Sequence, residues 1–245
     1  LQGLVGSDRG ELASRRTIER DLNAIKRKYR EEGYRLSSVD WNMRLTDEGR
    51  GVLEFHITEG PFSYVDAVDF RGNHVFSDEE LWDEMETDTR GWIWFIWPGL
   101  FKENMFQKDI RSVEDFYRKH GYLDAEANGY ASQSRDFEKL TVHVLVYEGP
   151  QYTVDNLSFS GNTVYTDAEL RDRIPLSVGE PFSPQAAEEA RDTVRNLYQN
   201  QGYMGVSPED GTLKMEISYD PEKPRVSVSF SVQEGQPVYV KRIKI

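Results

Sequence analysis

The stretch EGPFSYVDAVDFRGN, Glu59 to Asn73, decides the fold because the chain writes it again. At Glu148–Asn162 it reads EGPQYTVDNLSFSGN, and a third start, EGQPVYVKRIKI, opens at Glu234 and runs to Ile245. The Glu-Gly pairs are spaced by 89 and 86 residues, so the chain carries an internal repeat. Val65, Val68 and Phe70 match Val154, Leu157 and Phe159, and then Val240, Ile243 and Ile245. Each set reads as a strand, and the two complete ones close on a Gly-Asn turn.

Working outward, Ser77-Asp78-Glu79-Glu80 and Thr166-Asp167-Ala168-Glu169 are capping boxes that open a first helix. A second helix ends on Gly33-Tyr34, Gly121-Tyr122 and Gly202-Tyr203. Ile25 and Tyr29, Val113 and Tyr117, and Val194 and Tyr198 stand four apart before those glycines, on one helix face directed at a sheet. Ser183-Pro184 is a helix start with proline at the first helical position. Two strands then close each copy, roughly 35–45, 123–133 and 213–219 followed by the alternating runs ending at Ile57, Val146 and Val232. In the third copy Val226, Val228, Phe230 and Val232 alternate with Ser227, Ser229 and Ser231, giving a dry face and a wet one.

The expected fold class is therefore α+β, with tandem β-α-α-β-β repeats. Residues 1–60 hold an N-terminally truncated copy, 61–149 and 150–235 hold complete copies, and 236–245 begin a further one. Both ends fall within the repeat. Junctions of a few residues predict copies that touch, with restricted articulation.

Composition bounds the function. The 245 residues contain 38% hydrophobic and 12% aromatic residues, a lean supply that suits several small cores. A formal charge of −13 opposes general nucleic-acid binding and broad attachment to anionic membranes. With no cysteine there is no disulfide, thiolate metal site or cysteine nucleophile. His56 and His143 occupy equivalent closing strands on the face opposite the apolar residues, His74 sits in a turn and His120 precedes a helix-ending glycine. None stands in a metal-ligand spacing. No nucleophile elbow or phosphate-cradling loop occurs, so neither enzymatic activity nor a cofactor is expected.

The repeated Val-x-x-Val-x-Phe-x-Gly-Asn strand, the capping box, the Asp115-Phe116-Tyr117-Arg118-x-x-Gly121-Tyr122 helix exit and the Glu-Gly strand end together resemble POTRA domains of the BamA-like outer-membrane barrel-assembly family. The resemblance covers essentially the whole chain. It implies three-stranded mixed sheets, each packed on two antiparallel helices. It also implies a periplasmic location, held at the outer membrane by a C-terminal barrel. The implied partners are unfolded outer-membrane proteins and accessory lipoproteins. The same fold in a two-partner secretion or TamA-like transporter is the alternative. An enzyme or sugar-binding protein built on small α/β repeats is a rival of another class.

Two candidate contact regions follow. An open sheet edge pairs with an extended chain through backbone groups, which tolerates many sequences. The resemblance places the strand before the last at that edge, in 123–131 and 213–219, with Leu123, Ala125, Ala127, Leu213, Met215 and Ile217 as candidates. The second region is GWIWFIWPGLF, Gly91–Phe101, where Trp92, Trp94, Phe95, Trp97 and Phe101 crowd between the two helices of the second copy. The third copy has only Pro175–Glu180 there, so the aromatic excess is an addition to the fold. Packing on a neighbouring module or the barrel assembly, docking of an accessory protein or client, and burial in a membrane interface all remain open for it.

Overall fold

The computed structural model describes Gly6 and residues 14–47, 50–89 and 99–243. Helix α1 (Arg15–Glu31) is followed by β1 (Ser38–Leu45) and β2 (Gly51–Thr58). The second copy runs β3 (Tyr64–Arg71), α2 (Asp78–Asp83), α3 (Glu103–Lys119), β4 (Glu126–Gln133) and β5 (Lys139–Tyr147). The third runs β6 (Thr153–Ser160), α4 (Asp167–Arg171), α5 (Pro184–Asn200), β7 (Leu213–Tyr219) and β8 (Arg225–Val232). The expected β-α-α-β-β order is present in both complete copies.

The strands form one two-stranded sheet, β1-β2, and two three-stranded sheets ordered β3-β5-β4 and β6-β8-β7. The last strand of each complete copy is central. It pairs parallel with the first strand of that copy, β3 with β5 and β6 with β8. In the third copy β7 pairs antiparallel with β8, which makes that sheet mixed. A register shift interrupts β3 between Val65 and Ala67, and β6 between Val154 and Asn156.

The chain forms two compact units, Leu1–Val113 with Ala127–Val146, and Glu114–Glu126 with Tyr147–Ile245. The third copy carries a core of its own. Val154 and Leu157 from β6, Val194 and Tyr198 from α5, Leu213 from β7, and Val226, Val228 and Phe230 from β8 are all buried in it.

The recurring sequence signs each have a structural cause. Ser77 accepts from the Glu80 amide while Glu80 accepts from the Ser77 amide, and Thr166 and Glu169 do the same, so both capping boxes form. The Glu-Gly strand end and the helix tyrosine find each other. Tyr117 Oη donates to Glu148 Oε1 at 2.9 Å, and Tyr198 Oη donates to Glu234 Oε1 at 2.9 Å. In the first copy burial first, and then the charge and hydrogen bond of Glu59, push the Tyr29 hydroxyl up. Glu234 also accepts from the Thr163 and Val164 amides at 2.6 and 2.8 Å, locking the Gly-Asn turn to the strand end. Gly161 is required in that turn: its φ is +76°, and an added Cβ would lie 2.1 Å from the Val232 carbonyl oxygen.

The junctions are clipped by one repeated bond. Three residues after each Glu-Gly glycine, the amides of Ser63, Tyr152 and Val238 donate to the carbonyls of Gly33, Gly121 and Gly202, at 2.7, 2.8 and 2.8 Å. Gln151 Nε2 adds a bond to the His120 carbonyl at 2.9 Å, and Tyr152 Oη one to Asp124 at 3.0 Å. Short linkers thus acquire a fixed path across the preceding helix exit.

Candidate docking surfaces

Sheet order puts β4 and β7 at a margin of their sheets, with β3 and β6 at the opposite ones. Backbone direction then decides what each margin offers. In the second copy the Ser134 amide donates to the Lys139 carbonyl at 2.9 Å, which closes the β4–β5 hairpin. Alternation back from Ser134 turns the amides and carbonyls of Ser132 and Tyr130 toward β5, and those of Gln133, Ala131 and Gly129 away from it. The same count from the Asp220–Arg225 bond leaves Tyr219, Ile217 and Met215 directed outward on β7.

The side chains of these outward-directed residues lie on the helix side. Leu213 is buried, and Met215 and Ile217 pack against the third core while their backbones face the margin. Ala127 is buried likewise. Leu123 and Ala125 stand outside the strand, because β4 begins only at Glu126. After Gly121 (φ +93°) the chain turns, with the Ala125 amide bonded to the Tyr122 carbonyl, before it extends. Leu123 packs against the third core, and Ala125 is itself buried. The candidate edge is therefore shorter than 123–131 at its start.

On the opposite face of the second sheet a polar relay crosses all three strands. His143 of β5 contacts Asp69 Oδ2 of β3 through Nδ1 at 3.0 Å and Ser132 Oγ of β4 through Nε2 at 2.8 Å. A carboxylate only accepts, so Nδ1 carries a proton and donates to Asp69, while Nε2 lies within hydrogen-bond reach of the serine hydroxyl. Tyr130 stacks on the imidazole, with ring centroids 4.7 Å apart and planes 26° apart. The hydrogen bond from His143, and that from Arg71, hold the Asp69 carboxyl below its ordinary range. The order serine, histidine, aspartate is that of a hydrolytic triad, but backbone N–H groups of a sheet lie in its plane. None converges above the face to meet an oxyanion at Ser132. The relay instead ties the margin strand to β3. Alternation in the sequence puts His143 on the face opposite the apolar residues; nothing in the sequence sets the register that brings Asp69 and Ser132 to the ring.

Trp92, Trp94, Phe95 and Trp97 lie outside the described residues. Phe101 is described and is a core residue, 6% exposed and tilted against Phe106 at 5.5 Å. The guanidinium of Arg35 sits 5.0 Å from its ring centre. Phe182 occupies the matching place in the third copy and is fully buried, so Phe101 belongs to the shared fold and not to the added aromatics.

The ends of that segment are held. Asp109 of α3, 1% exposed, accepts from the amides of Glu86 and Thr87 at 2.7 and 3.1 Å and from the Thr87 hydroxyl. On the far side the Val65 amide donates to the Gly99 carbonyl at 2.7 Å. Counted back from the helix-ending glycine, the third copy has Ala190 where the second has Asp109. A carboxylate at an apolar helix position was the signal available in the sequence, and it goes with the longer segment.

Among the described residues no group of acidic and histidine side chains is arranged to hold a metal ion, and no helix is long and apolar enough to cross a membrane. A family model for POTRA, described as surface antigen variable number repeat, matches residues 1–60, 63–149 and 152–235.

The chain belongs to the POTRA family.

Among relatives, the POTRA chain is 27% identical to a putative outer membrane protein assembly factor of Treponema pallidum, covering 97% of this chain and 28% of that protein. It is 25% identical to the outer membrane protein assembly factor BamA of Neisseria meningitidis, covering 94% of this chain and 28% of that one. The chain thus spans under a third of the length of these curated relatives. A solved structure, POTRA3-5 of Haemophilus influenzae BamA, aligns with a TM-score of 0.45 at 19% identity, over 95% of this chain and 89% of that one.

Proposed function

We propose that this chain is the periplasmic POTRA portion of an outer-membrane protein assembly factor, and that its sheet margins dock unfolded barrel proteins before insertion. The carrying observation is the backbone of β4 and β7: each ends a three-stranded sheet, with amides and carbonyls of alternate residues directed away from the central strand. Main-chain pairing recognises an extended chain with little regard to its sequence, which is what a receptor for many clients requires. The names borne by the relatives, outer membrane protein assembly factors, supply the client class. In this reading accessory lipoproteins bind elsewhere on the modules, a C-terminal barrel in the parent protein anchors them, and the Trp92–Trp97 run is a contact element added to the fold.

The test places a photo-crosslinking amino acid at Asn128 on β4 or Lys214 on β7, both exposed. A barrel protein diluted from urea is expected to crosslink at one or both sites, and the same protein folded beforehand in detergent is not. Crosslinking from Arg111 on the exposed side of α3 with equal yield, or none from either strand, would refute the reading.

A further inference from the structure

The margins of the two three-stranded sheets are not equally guarded. β3 and β6 each carry a register shift near their start, a local kink that spoils an edge for pairing. Each also carries an acidic residue there, Asp66 paired with Lys139 and Asp155 paired with Arg225. β7 presents Lys214 and Glu216 on its outer face, the charges that ordinarily blunt an edge. β4 carries one charge, Glu126 at its first position, and beyond it the strand is bare: from Ala127 to Ser134 the chain is ANGYASQS, eight residues without a charge.

β4 is also held rigidly. Phe106 and Ile110 of α3 lie directly on it, so that a Cβ at Gly129 would come within 2.4 Å of Phe106 Cζ. On the other face Ser132 is tied through His143 to Asp69. Tyr130 stacks on that fixed imidazole and is still 52% exposed. In the third copy the residue opposite Ser229, which replaces His143, is Glu216. The fold itself therefore does not ask for the stacked tyrosine.

Resting on the edge-docking reading above, we propose that β4, and not β7, is the margin that accepts the incoming strand, and that it selects an uncharged strand with an aromatic residue beside Tyr130. Tyr130 directs its own amide and carbonyl to β5. Toward an antiparallel newcomer it therefore forms the non-hydrogen-bonded type of pair, in which facing side chains approach most closely. An aromatic ring there adds an aromatic pair to the main-chain bonds offered by Gly129, Ala131 and Gln133. A charged side chain would be desolvated against the uncharged run 127–134, and an acidic one would also oppose the net charge of −13.

The experiment titrates the isotope-labelled 245-residue chain with two capped synthetic nine-residue peptides of alternating Thr and Val. One has Tyr at its centre and the other Ser. The expected result is amide shifts centred on Gly129, Ala131 and Gln133, with the Tyr peptide bound about three- to tenfold more tightly, the worth of one aromatic pair. Tyr130→Ser should erase that preference and leave the weaker affinity. Ala131→Pro, which removes an outward amide and no bond to β5, should abolish binding while the hydrogen-exchange protection of β5 persists. Shifts centred on Met215 and Ile217 would overturn the inference while leaving edge docking intact. Equal affinity of the two peptides at β4 would overturn the selectivity. Binding of neither peptide would count against both readings.

Discussion

Glu234 is the place where one repeated sequence sign can be turned into a measured stability. Its Oε1 accepts from the Thr163 amide at 2.6 Å, the Val164 amide at 2.8 Å and Tyr198 Oη at 2.9 Å, while Oε2 accepts from the Thr163 hydroxyl. Glu234→Gln can keep the three bonds to Oε1, and its new NH2 can donate to the threonine hydroxyl. Only the charge is lost, at about 1 kcal/mol. Glu234→Ala removes every acceptor. Tyr198 is fully buried and cannot recruit water, whereas Thr163 is exposed and can, so the expected cost is roughly 3–4 kcal/mol. Burial opposes the carboxylate, but the hydrogen bonds from Thr163, Val164 and Tyr198 outweigh it and hold the Glu234 carboxyl below its ordinary value. A depressed folded-state value means this stability is present above the unfolded value of about 4.5 and is lost as pH falls through the folded one. Glu234→Gln should remove that part of the acid sensitivity. Tryptophan fluorescence would miss the effect, since all five tryptophans lie at or before Trp97. Native-state hydrogen exchange of the Val228 and Phe230 amides in the central strand is the suitable assay. An alanine variant within 1 kcal/mol of the parent, or a glutamine variant as weak as the alanine one, would refute the reasoning.

Other substitutions separate fold from contact. Gly161→Ala or Gly72→Ala, each with a Cβ 2.1 Å from a strand carbonyl oxygen and a positive φ, should cost about 3 kcal/mol or more, read by native-state exchange of the central-strand amides of the same copy, β8 for Gly161 and β5 for Gly72. Asp109→Ala strands two amides and a hydroxyl, two of these bonds being buried, and should destabilise the first unit by about 2–4 kcal/mol in urea titration. Phe101→Ala should cost about 3–5 kcal/mol there. Replacing Trp92, Trp94 and Trp97 together with Ser should change the melt by less than about 1 kcal/mol while lowering association with partner proteins or liposomes. Loss of the cooperative melt would make those rings core.

Most of the fold was legible because its signs are local. Capping boxes, helix-ending glycines and alternating strands each answer a backbone requirement within a few residues, and three copies in one order remove accidental matches. The Glu-Gly pair was legible as a landmark but not as a device. Its partners, Thr163 and Tyr198, lie 71 and 36 residues away, and only the fold brings them together. Strand starts were read too early at Leu123 because the apolar residues after Gly121 pack in a turn before β4 extends. Phe101 was grouped with its aromatic neighbours, although counting back from the glycines of the second and third copies pairs it with Phe182. The relay of Asp69, His143 and Ser132 depends on strand register, which side-chain alternation leaves open. The charge-free run of β4 was visible all along; its meaning required knowing that this strand lies at a margin.

Hydrogen–deuterium exchange of the chain, alone and with an unfolded outer-membrane barrel protein diluted from urea, tests the docking claim most directly. New protection confined to the outward amides of Gly129, Ala131 and Gln133 is the expected result. Protection spread over helix surfaces, with the amides of β4 exchanging as they do in the free chain, would contradict it.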